Sequence, residues 1–229
     1  ANDEIPPTIK NVQLAADNST IAVTFDEAVY STNNGSGALE KEDFVFSIAG
    51  GSATLSSATP TSISASSNTY TLGIGLSGLA DGTEVITVKP ASNAIFDGGY
   101  NAASTTQSNN TATLNDRAGP KISSVALAAD NSTIAVTLNE ASYKTNSGSG
   151  SLEKTDFVFS LTGGTATLSS TTPISISADG SSIGCAGNNC CSQILIQMEK
   201  IFHHAVLGKT KVIYNQAYSS LYFFTMTQS

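Results

Sequence analysis

The chain has 229 residues, enough for one large domain or two of about 110. Its 18 acidic side chains outnumber its 10 basic ones, and a net charge of −8 argues against nucleic acid, whose phosphates call for clustered Lys and Arg. No run approaches the roughly 18 apolar residues that cross a bilayer, so no membrane insertion is expected in this segment.

From the N-terminus, Val12 and Leu14 alternate with polar neighbours, then Ile21, Val23 and Phe25, then Phe44, Phe46 and Ile48. Tyr70, Leu72, Ile74 and Leu76 repeat the pattern, followed by Val85 and the region of Val88. A period of two sends one set of side chains to a core and the other to water, and Val, Ile and Thr are concentrated in these runs, as a pleated surface prefers. Asp17-Asn18, Asn34-Gly35, Gly50-Gly51, Asp81-Gly82 and Asp97-Gly98-Gly99 punctuate the runs as turns. About seven short strands in some 110 residues is the pattern of an immunoglobulin-type sandwich. Residues 1–182 contain neither Cys nor Trp, so only the general sandwich is expected, without an inter-sheet disulfide or its packed Trp.

The same run then starts again. LAADNSTIAVT at 14–24 recurs letter for letter at 127–137, LEK at 39–41 recurs at 152–154, and DFVFS at 43–47 recurs at 156–160. The offset is 113 throughout, and 45 of the 64 positions from Asn2 to Ala65 equal their partners. A duplicated unit is the direct reading. It divides the chain into a first sandwich over 1–114, a truncated second copy over 115–182 and a divergent tail over 183–229. The fold class expected is all-β, tandem Greek-key sandwiches, the second incomplete or ending in an atypical tail.

The tail breaks the pattern. In phase, 183–227 would copy 70–114, but the resemblance stops near Ala178. All three Cys (Cys185, Cys190, Cys191), both His (His203, His204) and both Met fall beyond 182. The charge changes with them, from 17 acidic and 7 basic residues before that point to Glu199 against Lys200, Lys209 and Lys211 after it. So abrupt a change reads as a frame change, a read-through or a fusion scar. Within it Ile194, Met198, Ile201, Phe202 and Ala205 are spaced as one face of a helix, and 211–214 and 221–224 as strands. A second copy without its last strands is expected to be the less stable of the two, with an open sheet edge. The Ala1-Asn2-Asp3-Glu4 start reads as a processed or excised end.

Catalysis finds little footing. Nucleophilic chemistry needs a base beside the nucleophile, and the Ser- and Thr-rich repeats have no His before residue 203. Cys185-x₄-Cys190 with His203-His204 mimics a zinc set, but adjacent His residues do not easily face one metal, and accidental residues of a non-native tail are the plainer reading. The acidic residues at strand ends and linkers are the better candidates. Asp26 and Glu27 close a strand, and the second copy keeps Glu140 beside Asn139. Asp97 lies in a Gly-rich turn, and Asp3 and Asp116 open the two copies. Calcium takes six to eight oxygens from carboxylates and carbonyls, so Asp26, Glu27, Asp97, Asp116 and Glu140 form the candidate calcium set. The plainer alternative is that these residues make turns and face solvent. Asn18, Asn34, Asn109 and Asn131 each head a glycosylation acceptor triplet, which matters only in a eukaryotic source.

VTFDEAV at 23–29, DFVFS at 43–47, TYTLGIGL at 69–76, DGTEVITV at 81–88 and AIFDGGYNA at 94–102 together resemble the bacterial immunoglobulin-like repeats of secreted and surface-layer proteins. Asp26 stands where that pattern has Ser or Thr, and Tyr100 where Gly is usual. The junction 115–120, NDRAGP, resembles a shortened cadherin-type linker. The resemblance implies an extracellular or cell-surface spacer or adhesive stalk whose first partners are other repeats of the same chain, then surface glycans or proteins. The alternative is a carbohydrate-binding accessory module of a secreted hydrolase. For that, Tyr30, its partner Tyr143 and Tyr100 would supply a thin aromatic platform.

Overall fold

The computed structural model describes residues 3–145, 147–162, 165–177, 182–184 and 194–198, the last two stretches as backbone. The chain forms two compact units, Ala1–Ala118 and Gly119–Ser229. The first unit therefore ends four residues beyond the point at which the sequence repeat restarts.

The first unit has nine strands: β1 (Ile9–Leu14), β2 (Thr20–Phe25), β3 (Phe44–Ala49), β4 (Thr54–Leu55), β5 (Ile63–Ser66), β6 (Thr69–Gly73), β7 (Leu76–Ser77), β8 (Val85–Pro90) and β9 (Thr111–Thr113). They form a four-stranded sheet in the order β1-β2-β6-β5, a three-stranded sheet β3-β8-β9 and a short β4-β7 ladder. Every pairing is antiparallel. The turn between β1 and β2 is built by Asp17, whose Oδ1 accepts from the Ser19 N–H and hydroxyl at 3.0 and 2.6 Å. Asn18 beside it adopts φ +60, a left-handed conformation that Asn tolerates better than most residues.

The alternation carries through to packing. Ile21, Val23 and Phe25 of β2, Phe44 and Phe46 of β3, and Tyr70 and Leu72 of β6 are buried between the sheets. The rings of Phe25, Phe44 and Tyr70 meet at centroid separations of 6.0 to 6.3 Å, with Phe25 edge-on to Tyr70. Such aromatic contacts add about 0.5–1.5 kcal/mol to simple burial. One expected position is corrected. Val85 faces solvent, and Ile86, Val88 and Pro90 are the buried residues of β8. The strand begins one step out of the register that Val85 suggested, because its pairing with β3 sets Ile86 opposite Ile48 and Val88 opposite Phe46.

The second unit repeats the first where the sequence does. Its described strands are β10 (Ile122–Leu127), β11 (Thr133–Leu138), β12 (Phe157–Leu161), β13 (Ser175–Ile176), β14 (Ser182–Gly184) and β15 (Ile194–Met198). They pair as β10-β11-β14-β13 and β12-β15. Ile134 lies opposite Ile183 as Ile21 lies opposite Leu72, although 72 + 113 is 185. Leu161 lies opposite Ile194 as Ile48 lies opposite Ile86, although 86 + 113 is 199. The divergent chain thus fills the slot of β6 two residues short of the phase and the slot of β8 five short, three more having been dropped between them. The helix expected from Ile194 onward is corrected over Ile194–Met198, which is a strand: a long neighbouring edge, β12, offers those residues a ladder of five pairs. The rest of that helix and the strands expected at 211–214 and 221–224 lie outside the described residues. The described core of this unit is Ile122, Ile134, Val136, Phe157 and Phe159.

Candidate functional site

The carboxylates of Asp3, Glu27 and Asp97 converge, each offering an oxygen within 4.8 Å of the others. Asp97 anchors the group. It is fully buried at the head of the 97–101 turn, and its two oxygens accept from the Asn101 N–H and side-chain amide, each at 2.8 Å. The same amide donates to the Asp3 carbonyl at 3.0 Å, which ties the entering chain to the turn. Gly99 is required here, since a Cβ would stand 2.7 Å from the Asp3 carbonyl oxygen. The next residue, Tyr100, takes φ +73 and is 58% exposed.

Glu27 follows β2 and faces the other two carboxylates. Its pKa is raised above the usual glutamate value, first by partial burial and then by the negative charges of Asp97, Asp3 and Asp26. Three acidic groups at this spacing repel one another, and a divalent cation among them would turn that repulsion into attraction. Carboxylate and carbonyl oxygens are the donors that calcium prefers, so the set fits it in kind.

The other members of the expected set go elsewhere. Asp26 turns away to accept from the Thr8 N–H at 2.8 Å and the Thr8 hydroxyl at 2.6 Å, fixing the entry to β1. Burial works to raise the Asp26 pKa, but these bonds outweigh it and hold the value below the ordinary carboxylate. In the second unit Asn139 does the same for Lys121 N–H at 2.6 Å without a charge. Asp116 accepts from the Ala118 N–H at 3.0 Å and lies against Gly82. Glu140 is half-buried in the second unit. Cys185, Cys190, Cys191, His203 and His204 lie outside the described residues. Among the sugar-platform candidates, Tyr30 is half-buried and its backbone pairs with Phe96, while Tyr143 is also half-buried.

Sequence reasoning missed Glu84, whose side chain is fully buried. It accepts from the N–H groups of Ser52 and Ala53 at 2.8 Å and of Asp81 at 3.0 Å. Its only sequence signal is the Gly50-Gly51 turn that it supports.

Glu27 stands two residues after the end of β2, and Asn18 two residues before its start. A six-residue strand is roughly 17–20 Å long, so the two lie at opposite ends of the sandwich. The chain enters at the Glu27 end through Asp3 and leaves at the other, where Asn18 binds Asn115.

No described helix is long and apolar enough to cross a membrane, which leaves β-barrel spans aside. The sequence matches no family profile and no curated protein. Two solved structures are similar to it. The N-terminal part of the bacterial S-layer protein SbsC is 18% identical over 91% of this chain and 42% of its own length, with a TM-score of 0.35. A longer SbsC crystal structure is 16% identical over 86% of this chain and 25% of its own, with a TM-score of 0.36. The chain thus spans less than half of either.

Proposed function

We propose that this chain is a structural module of a secreted or cell-surface protein, built from Greek-key sandwiches of the immunoglobulin type, which spaces or presents what lies at its ends and catalyses no reaction. The orders β1-β2-β6-β5 and β3-β8-β9 support the fold reading, since they follow the ABED and CFG sheets of the constant-type domain. The observation that carries the function is the entry of the chain at one end of the first unit and its exit at the other. A module with its termini so placed adds its full length per copy. Small-angle scattering of chains carrying one, two and three extra copies of residues 1–113 tests this. The longest dimension is expected to grow by a constant step, and chains that stay compact as copies are added would overturn the reading.

A second reading, favoured by the convergence of Asp3, Glu27 and Asp97, is that a calcium ion binds there and fixes the entering segment. Calcium is then expected to raise the melting midpoint of the chelator-treated protein, and to do so less in Glu27→Gln. Equal midpoints with and without calcium would sink it. The exposed Tyr100 keeps open the alternative of a carbohydrate-binding module.

A further inference from the structure

The opening residues of the second sequence repeat belong, by their bonding, to the first folded unit. Asn115 donates its N–H to Asn18 Oδ1 at 2.9 Å and accepts from Asn18 Nδ2 through its carbonyl at 2.8 Å. Its own amide donates to Asn18 Oδ1 at 3.0 Å and to the Ala15 carbonyl at 3.2 Å. Two residues on, the N–H groups of Arg117 and Ala118 share the Ala80 carbonyl, at 2.7 and 2.8 Å. Asn18, Ala80 and Ala118 are all buried. Four successive linker residues are thus held by the 15–18 turn, Ala80 and the 81–82 turn.

Asn115-Asp116 is also, by the offset of 113, the counterpart of Asn2-Asp3, the opening pair of the repeat. The receiving turn is duplicated as well. In the second unit Asn131 takes φ +57, its N–H bonds the Ala128 carbonyl at 2.9 Å, and Ala128 N–H bonds the Thr133 carbonyl at 2.9 Å. In the first unit Asn18 N–H and Ala15 N–H make the same two bonds, at 3.0 and 2.9 Å. A buried Asn in the left-handed region is an expensive residue for a plain hairpin, where an exposed Gly would serve. Here its carboxamide pairs with both the backbone N–H and the backbone carbonyl of one incoming residue, Asn115.

We propose that the 15–18 turn and the Ala80 carbonyl form an acceptor for the opening Asn-Asp segment of a following copy of this repeat, so that each repeat is closed by its successor. The partner is a second copy of the repeat, recognised through one Asn backbone and its side chain. This rests on the repeat-module reading above.

Trypsin cleavage of the full chain after Arg117 tests the proposal, with cleavage after Lys10, inside β1, as the gauge of whole-unit opening. Asn18→Ala and Asn115→Ala are each expected to speed cleavage at Arg117 about tenfold relative to Lys10, the effect of losing roughly one net hydrogen bond. The double variant is expected to fall short of the sum of the two, because both changes remove the bond from the Asn115 amide to Asn18 Oδ1. Asn131→Ala, in the duplicate turn, is expected to leave Arg117 as it was. An unchanged Arg117 rate, a rise only in step with Lys10, or fully additive single effects would each overturn the proposal. None of these results bears on the scattering lengths, so failure of the acceptor is distinguishable from failure of the spacer reading.

Discussion

The carboxylate of Glu84 occupies the space that a side chain on residue 51 would need. Gly51 has φ +56, and a Cβ built there would run into the Glu84 carboxyl group. The glycine and the buried acid are therefore one device: the turn has no side chain so that its following N–H groups can close on a carboxyl oxygen. Glu84→Ala would leave the N–H groups of Ser52, Ala53 and Asp81 without that acceptor. A loss of about 3 kcal/mol of unfolding free energy is expected, read by urea denaturation, with Gly51→Ala comparably harmful. A change in Glu84→Ala below about 1 kcal/mol would contradict this account.

Glu27 gives a pH signature. Its folded pKa is raised, so between the unfolded and folded values the folded state binds more protons here than the unfolded state does. In chelator, this group's share of stability is complete below the unfolded value near 4.5 and falls as pH rises through the folded value. Glu27→Gln is therefore expected to be more stable than the parent at pH 7 and to lose that advantage near pH 4. Denaturation curves at the two pH values check it, and a Gln variant that is weaker at pH 7 would refute it.

Asp26 behaves in the opposite sense. Its pKa is lowered, so its contribution is present above the unfolded value of 3.8 and is lost as pH falls through the folded one. Asp26→Asn should keep the bond to Thr8 N–H, as Asn139 does for Lys121, and change stability at pH 7 by less than about 1 kcal/mol. Asp26→Ala should lose about 1–2 kcal/mol, since both Thr8 donors go unpaired. Thermal melts of the two variants side by side measure the difference.

Tyr100 holds a left-handed backbone that suits few side chains. Tyr100→Gly is expected to stabilise the first unit by about 1 kcal/mol, because the strain is removed without loss of a buried contact. The same variant also probes the carbohydrate alternative: loss of retention on a polysaccharide column, with stability unchanged or improved, would favour that reading over the spacer.

The alternation of β2, β3 and β6 was legible because each strand buries one face and is long enough to show two or three core positions. β4, β5, β7 and β9 were not, since two to four residues of mostly Ser, Thr and Ala carry no periodic signal. Ile194–Met198 misled for a related reason: five apolar and polar residues fit either period, and the β12 edge decides between them. At the candidate site, Glu27 and Asp97 were legible as carboxylates beside turns. Asp26 looked equivalent to Glu27, and only the geometry shows that Thr8 claims its oxygens. Glu84 was invisible because a Glu that follows Asp81-Gly82-Thr83 looks like part of a solvated turn.

The placement of the two termini also fixes how the first unit bears load. Tension drawn through Asp3 pulls β1 toward the Glu27 end, while tension drawn through Asn115 pulls β9 toward the Asn18 end. The pull runs along the strands, so the five paired positions of β1 on β2 resist together instead of opening one by one. A fibre strung from such links would yield in abrupt steps, with each link holding until its whole ladder gives way.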